Sequence, residues 1–270
     1  MVDTDEQRDL RQLISWLERI EPWQKLTGQD SRAWQADPRS SLAGDDAKTD
    51  PFQMSHSVWH ALTVSVDHLG CLRSSLLGDL QGERREVRIH THAQSSLLRG
   101  AIENAARAVW LLGPKDRPTR VSRRLALQAK ETKDFFRMRA LTQQPTVQTQ
   151  QERLQRLTDL LITAGLSERQ AKATVKTPPR YTEIVRGAGE LTTLGADLAQ
   201  LVWSGCSALA HGDAYGTLAM LDKEIMVRSQ DVSLVRITGS ISGLYWCTVA
   251  AVLLVQQGFE LLQARSISYR

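Results

Sequence analysis

Two predicted helices carry polar side chains at spacings that could bind or act on a charged ligand. In the first, Arg99, Glu103 and Arg107 recur every four residues, which places them along one face. In the second, polar residues again recur every three or four positions, and the series ends in Ser204, Ser207 and His211. The remainder of both segments is mostly apolar or small, so both helices are expected to be largely buried. A buried charge must be paired or must bind a charged ligand.

These residue types suit phosphate chemistry, because arginine pairs with phosphate oxygens and histidine can act as an acid or a base near neutral pH. The catalytic candidates are His211 and Glu103. The predicted ligand contacts on the same two helices are Arg99, Arg107, Ser204 and Ser207. This hypothesis requires the two polar stripes to face each other across an interior polar cleft. The competing interpretation is structural, with an internal Arg99–Glu103 ion pair and a second stripe that faces solvent.

A third helix, predicted over residues 117–141, carries many of the basic side chains. Arg120 and Arg124 lie one turn apart on it and are further candidate ligand contacts. The chain has a net charge of +4 and a pI of about 9.1. A basic face would attract RNA or a phosphorylated ligand, whereas a solvated helix surface explains the same composition without any ligand.

Other kinds of chemistry find less support in the sequence. His56 and His60 lie one turn apart, with Asp67 two turns further, but no diagnostic third ligand follows, so neither a metal nor a cofactor is predicted. The sequence contains no glycine-rich phosphate loop and no G-x-S-x-G motif, which disfavours nucleotide hydrolases and dehydrogenases. Three widely spaced cysteines and an acidic, polar N-terminal stretch favour a cytoplasmic protein without disulfides.

Long helices are the elements that would position these residues. We predict an all-α protein, a helical bundle of about seven to eight helices. Residues 55–270 form the bundle domain, and residues 1–54 form an N-terminal helix and a polar linker that is partly ordered at best. The two site-bearing helices are expected over residues 85–112 and 191–211. Runs of β-prone residues around a charged turn indicate a small β-hairpin near residues 217–237.

Residues 237–259 contain no charged side chain and are long enough to cross a membrane. Serine, threonine, glycine and glutamine residues dilute the stretch, so we interpret it as a buried core helix and predict no membrane contact. The same helix supports a second hypothesis, in which the chain is a non-catalytic homo-oligomeric interaction protein. In that case the helix packs at a subunit interface and the buried ion pairs are purely structural.

Two short stretches carry a resemblance to known proteins: residues 98–112, with an R-x-x-x-E pattern, and residues 203–212, with an S-x(6)-H pattern. Together they resemble a group of bacterial, often actinobacterial, helical proteins and, more distantly, the HEPN superfamily of helical nucleases and nucleotide-binding modules. In HEPN ribonucleases an R-x(4-6)-H motif from paired subunits forms a metal-independent RNA-cleaving site. The resemblance implies a homodimer that binds RNA or a phosphorylated ligand. No arginine stands at that spacing before His211, so Arg99 or Arg107 would have to supply the cation in space.

Overall fold

The structure is a computed structural model and describes residues 4–28, 32–81, 84–143, 145–230 and 232–268. Its helices are α1 (Asp5–Glu18), α2 (Glu21–Leu26), α3 (Ser41–Thr49), α4 (Met54–Leu76), α5 (Ala93–Leu112), α6 (Arg117–Thr142), α7 (Gln150–Thr163), α8 (Glu168–Lys176), α9 (Tyr181–Gly189), α10 (Gly195–Ala210), α11 (Ala214–Met220) and α12 (Ile241–Ser266). Two antiparallel hairpins pair β1 (Leu77–Gln81) with β2 (Arg84–Val87), and β3 (Asp222–Arg228) with β4 (Ser233–Thr238). The mostly helical fold confirms the predicted all-α class.

The described residues form more helices than the seven to eight predicted. Three short helices, α2, α3 and α11, were not expected, because the first two lie in a polar stretch rich in Gly, Pro, Asp and Ser and the third overlaps a β-prone run. Local caps stabilise two of them: the Ser40 side chain accepts from the Ala43 N–H, and Asp213 accepts from the Gly216 N–H. The stretch predicted as a linker, partly ordered at best, contains α2 and α3 among its described residues.

The α5 helix lies at the centre of the molecule, in contact with α4, α9, α10 and α12. Its apolar side chains are buried on more than one face, including Leu98, Ile102 and Val109. The α1 helix begins with a capping box of Thr4 and Gln7 and contributes buried leucines to the same core. The division of the chain at residue 54 stays a prediction, although both sides of that boundary share this core.

The α5 helix begins eight residues later than predicted, at Ala93, because a hairpin and a fixed loop precede it. The fully buried Gln94 holds this loop: its side-chain Nε2 donates to the Arg88 carbonyl at 2.9 Å, and its Oε1 accepts from the His90 N–H at 3.1 Å. These tertiary contacts satisfy backbone groups that a longer helix would have used internally.

The hairpin predicted near residues 217–237 is present as β3 and β4, and it begins at Asp222 because α11 occupies the preceding residues. Every residue of β3 is exposed. The helix that follows the hairpin, α12, is the one helix of the described chain that is long and apolar enough to span a membrane; its most apolar 18-residue stretch has a mean hydropathy of 1.3. Because 61% of that stretch is buried, α12 has the character of a core helix.

Candidate functional site

The two predicted polar stripes meet where α5 packs against α10. Arg99 Nη1 lies 3.0 Å from His211 Nε2, and Arg99 Nε donates a hydrogen bond to Glu103 Oε1 at 2.9 Å. The indole N–H of Trp203 donates to the same Glu103 oxygen, also at 2.9 Å. Arg99, Glu103 and His211 are therefore brought together as the stripes suggested, and Trp203 joins them.

A Schellman motif at the C-terminus of α10 places His211. Gly212 adopts a left-handed backbone with φ of +68°, and the Asp213 N–H donates to the Ala208 carbonyl at 2.9 Å. The Gly212 N–H donates to the Leu209 carbonyl, which completes the motif. The backbone around His211 is thus fixed by hydrogen bonds, and the imidazole is held at the end of the helix.

The cluster is half-buried and opens to solvent at the histidine. Side-chain exposure is 17% for Glu103 and 30% for Arg99, whereas His211 is exposed. A guanidinium can only donate hydrogen bonds, so the contact with Arg99 requires His211 Nε2 to accept and the ring proton to sit on Nδ1. Nε2 becomes free to accept a proton from a bound hydroxyl group once the Arg99 guanidinium turns to another acceptor, such as a phosphate oxygen.

Arg107 is separated from this cluster. Its Nη2 donates to the Tyr181 hydroxyl at 2.5 Å rather than to Glu103, and its guanidinium lies 5.9 Å from the Tyr181 ring centroid. Tyr181 is the first residue of α9, which packs beside α10 on the central helix. Among the described residues, no hydrogen bond joins Arg107 to Glu103.

Arg124, on α6, is buried near Arg107. Its Nη2 donates to Gln128 Oε1 at 2.7 Å, and its Nη1 lies 3.8 Å from Glu131 Oε2. Burial lowers the pKa of Arg124; Glu131 opposes this effect, and the charge of Arg107 adds to it. Arg107 and Arg124 thus belong to a second cationic cluster, where α5, α6 and α9 meet.

Arg120 has a structural role instead of the predicted ligand contact. It is 2% exposed, and its Nε and Nη2 donate to the two oxygens of the buried Asp45 at 2.6 and 2.9 Å. Its remaining hydrogen bonds run to Ser41 Oγ and to the carbonyls of Pro114 and Lys115. All five guanidinium donors are occupied, so Arg120 has none left for a ligand.

The predicted serines lie on α10 before the histidine. Ser207 is one turn and Ser204 two turns before His211, and both are half-buried. Asp197 and Gln200, at the start of the same polar stripe, are bonded to α9: Arg186 Nη1 donates to Asp197 at 2.7 Å and to Gln200 at 2.8 Å. The role of the two serines in ligand binding stays a prediction.

Metal-ligating side chains do not gather in the part of the chain that the structure describes: no group of three or more His, Cys, Asp or Glu residues could hold an ion there. His56, one of the sequence candidates, packs edge-on against Trp34 with ring centroids 5.3 Å apart. Cys71, Cys206 and Cys247 are free thiols.

Sequence reasoning missed Trp203 and Tyr181, although both carry a usable signal. A partly buried indole or phenol normally finds a hydrogen-bond partner for its polar atom, and each of these residues lies next to a helix with charged positions. Their partners, Glu103 for Trp203 and Arg107 for Tyr181, depend on how α9 and α10 pack on α5.

Comparison with known proteins adds no relative, since no protein-family model, curated protein or solved structure matches the chain.

Proposed function

We propose that the protein binds the phosphate groups of RNA at the Arg99–His211 site, where α5 meets the C-terminus of α10. The observation that carries this proposal is the 3.0 Å contact between Arg99 Nη1 and His211 Nε2 at a solvent-facing edge. A guanidinium offers charge-assisted hydrogen bonds to phosphate oxygens, and the adjacent imidazole can transfer a proton. A small phosphorylated molecule shares this chemistry and is the alternative ligand.

The resemblance to HEPN proteins supports the proposal. The sequence lacks the arginine that the HEPN motif places shortly before its histidine. Arg99 is 112 residues earlier in the chain, yet its guanidinium lies beside the His211 ring. We propose that these two residues act together as the arginine and histidine of that motif do, with His211 as the proton-transfer group, in a homodimer of HEPN-like helical subunits.

Glu103 is proposed as a positioning residue for Arg99. One of its carboxylate oxygens accepts from both Arg99 Nε and Trp203 Nε1, which limits how far the guanidinium can move. A guanidinium held in place loses less side-chain entropy when a phosphate binds. The carboxylate is largely buried and itself repels phosphate, so direct contact between Glu103 and the ligand is not part of the proposal.

Binding of a labelled single-stranded RNA, followed by fluorescence anisotropy, tests this function. We expect Arg99→Gln to weaken binding roughly tenfold or more, since a hydrogen bond to a charged group contributes about 1.5–3 kcal/mol. If the site cleaves RNA, denaturing gels run after incubation in EDTA will show products from the wild type and none from His211→Gln. Arg8→Gln, an exposed arginine on α1, removes the same charge and serves as the control.

Equal RNA affinity in the wild type, Arg99→Gln and His211→Gln would show that the site does not bind RNA. Competition with a nucleoside monophosphate separates the two kinds of ligand. Tight binding of the nucleotide together with no RNA binding would support the small phosphorylated ligand instead.

A second candidate function is homo-oligomeric interaction, and the β3–β4 hairpin favours it. Ile225, Val227 and Leu234 are each more than half exposed on this hairpin. A lone two-stranded hairpin is only marginally stable in water, and exposed apolar strands commonly mark interaction surfaces. Along β3, Glu224 precedes the apolar residues and Arg228 follows them, so two antiparallel copies would set acidic ends opposite basic ends.

Light scattering coupled to size-exclusion chromatography tests the second candidate. We expect the wild type to elute as a dimer and Ile225→Lys to elute as a monomer with an unchanged circular dichroism spectrum, because the exposed site contributes little to the monomer core. Lys223→Ser, an exposed polar change on the same strand, is the matched control. A monomeric wild type at all concentrations would contradict this candidate.

A further inference from the structure

The second cationic cluster contains buried donors that no described group satisfies. Arg124 is 6% exposed, and its Nε and Nη1 are buried without a hydrogen-bond partner among the described residues. The Nε of Arg107 is in the same condition. Native proteins satisfy nearly all buried polar atoms, so these three nitrogen atoms, on two arginines whose charges interact, need an explanation such as a bound ion.

The charge balance of the cluster points the same way. Glu131 is the carboxylate near Arg124, but its oxygen lies 3.8 Å from Nη1, beyond hydrogen-bond distance, and its side chain is 44% exposed. Arg107 is bonded to the neutral Tyr181 hydroxyl. Lys130, at 5.9 Å from the Tyr181 ring centroid, adds a further cation, although Asp134 pairs with it. The site therefore keeps excess positive charge in a poorly hydrated place.

We propose that Arg107, Arg124 and Tyr181 form a binding site for a phosphate monoester. Two guanidinium groups match the charge of a phosphate dianion, whereas a phosphodiester carries a single negative charge. Tyr181 accepts from Arg107 and retains its own O–H to donate to a phosphate oxygen. Because the free donors of Arg124 are closed to solvent, the guanidinium must turn toward the half-buried Arg107–Tyr181 edge when the anion binds.

This inference rests on the proposed function for the identity of the ligand, which would be an RNA with a terminal phosphate. Arg99 and Arg107 are eight residues apart on α5, a rise of roughly 12 Å at 1.5 Å per residue. The two guanidinium groups also have separate partners, Glu103 and His211 for Arg99 and Tyr181 for Arg107, so each would contact a different phosphate. An oligonucleotide would contact both sites, with its terminal phosphate at the second cluster and an internal phosphodiester at Arg99 and His211.

Three RNAs of one sequence test the inference: one with a 5′-phosphate, one with a 3′-phosphate and one with hydroxyl groups at both ends. We expect the wild type to bind one phosphorylated form roughly tenfold more tightly than the hydroxyl form, as one added charge-assisted contact predicts. Arg124→Met should abolish this preference while retaining binding of the hydroxyl form. Arg107→Gln provides a second variant should Arg124→Met fail to fold.

Arg137→Met is the matched control, because it removes an exposed arginine from the same helix. It should leave the preference for a terminal phosphate unchanged. Equal affinity of the wild type for all three RNAs would overturn the inference, and the proposed function would still stand if Arg99→Gln weakened their binding.

Inorganic phosphate provides a test that does not depend on RNA. Against chloride at equal ionic strength, phosphate should raise the Tm of the wild type and of Arg137→Met, but not that of Arg124→Met, because a ligand that binds only the folded state stabilises it. A phosphate-dependent rise lost in Arg124→Met would support the anion site even if no RNA bound and the proposed function failed. Identical Tm values in phosphate and chloride for the wild type would overturn the site and assign the buried donors to water.

Discussion

Arg120 and Arg124 lie one turn apart on α6 and are both buried, yet their surroundings differ completely. Arg120 uses all five donors, with Asp45 as its counter-charge. Arg124 makes one hydrogen bond, to Gln128, and leaves Nε and Nη1 without partners among the described residues. The first arrangement holds α3, α6 and the loop before α6 together, whereas the second carries unmet hydrogen-bonding capacity. Two buried arginines of similar exposure can thus differ in whether their guanidinium donors are satisfied by the protein.

The largest expected effect comes from removing the counter-charge of Arg120. Asp45→Ala should lower the free energy of unfolding by roughly 3–5 kcal/mol, because it leaves a buried guanidinium without its partner. Urea denaturation followed by circular dichroism measures this loss. Arg120→Met should cost a similar amount, since it strands the buried carboxylate with only Arg117 beside it. A loss below about 1 kcal/mol would show that the Asp45–Arg120 pair contributes no more to stability than an exposed ion pair does.

Removal of the Arg124 charge should not lower the free energy of unfolding, in contrast to removal of the Arg120 charge. Without phosphate, Arg124→Met should leave the free energy of unfolding unchanged or raise it by about 1–3 kcal/mol, since it removes a buried charge with unsatisfied donors at similar volume. The same denaturation experiment in phosphate-free buffer gives the comparison. A destabilisation as large as that of Arg120→Met would erase the distinction between the two arginines.

An intermediate effect is expected at the half-buried Arg99–Glu103 pair. Glu103→Gln should destabilise the fold by about 1–2 kcal/mol, because the amide retains an oxygen for Trp203 but loses the charge facing Arg99. A double-mutant cycle with Arg99→Met isolates the pair and should give a coupling energy of about 0.5–1.5 kcal/mol. Zero coupling would mean that Glu103 does not position Arg99.

The smallest effect is expected at the solvent-facing ion pairs of α6. Asp134 accepts from Lys130 and Arg137, and its side chain is 37% exposed. Asp134→Asn should change the free energy of unfolding by less than about 1 kcal/mol at pH 7. An effect as large as that of Asp45→Ala would mean that burial does not determine how much these ion pairs contribute to the free energy of unfolding.

The contribution of Asp134 to the free energy of unfolding depends on pH. The hydrogen bond from Lys130 lowers the pKa of Asp134 below its ordinary value of 3.8, so the folded state holds this carboxyl proton more weakly than the unfolded state. Its contribution is present above the unfolded pKa and is lost as the pH falls through the folded pKa. The difference between wild type and Asp134→Asn should therefore be found at pH 6 and shrink as the pH falls below 3.8, through the lowered pKa of the folded state. A difference that grows on acidification would contradict this assignment.

Local sequence signals predicted the features that depend on neighbours in the chain. The β3–β4 hairpin follows from a charged turn between β-prone runs, and the Arg99–Glu103 ion pair follows from a spacing of four residues. The start of α5 was misplaced, because the Gln94 side chain bonds the preceding loop instead of allowing another helical turn. The short helices α2, α3 and α11 were missed because their residue types favour turns or strands and tertiary packing outweighs that preference.

The sequence by itself determined the all-α class and the two polar stripes, because helical periodicity is written into the order of the residues. Only the tertiary structure decided which charges meet. Arg99 reaches His211 across 112 residues, and Asp45 reaches Arg120 across 75. Arg124, one turn further along the same helix, has no carboxylate within hydrogen-bond distance among the described residues. The helix period specifies a face, whereas burial and pairing depend on what packs against that face, and packing joins residues distant in the chain.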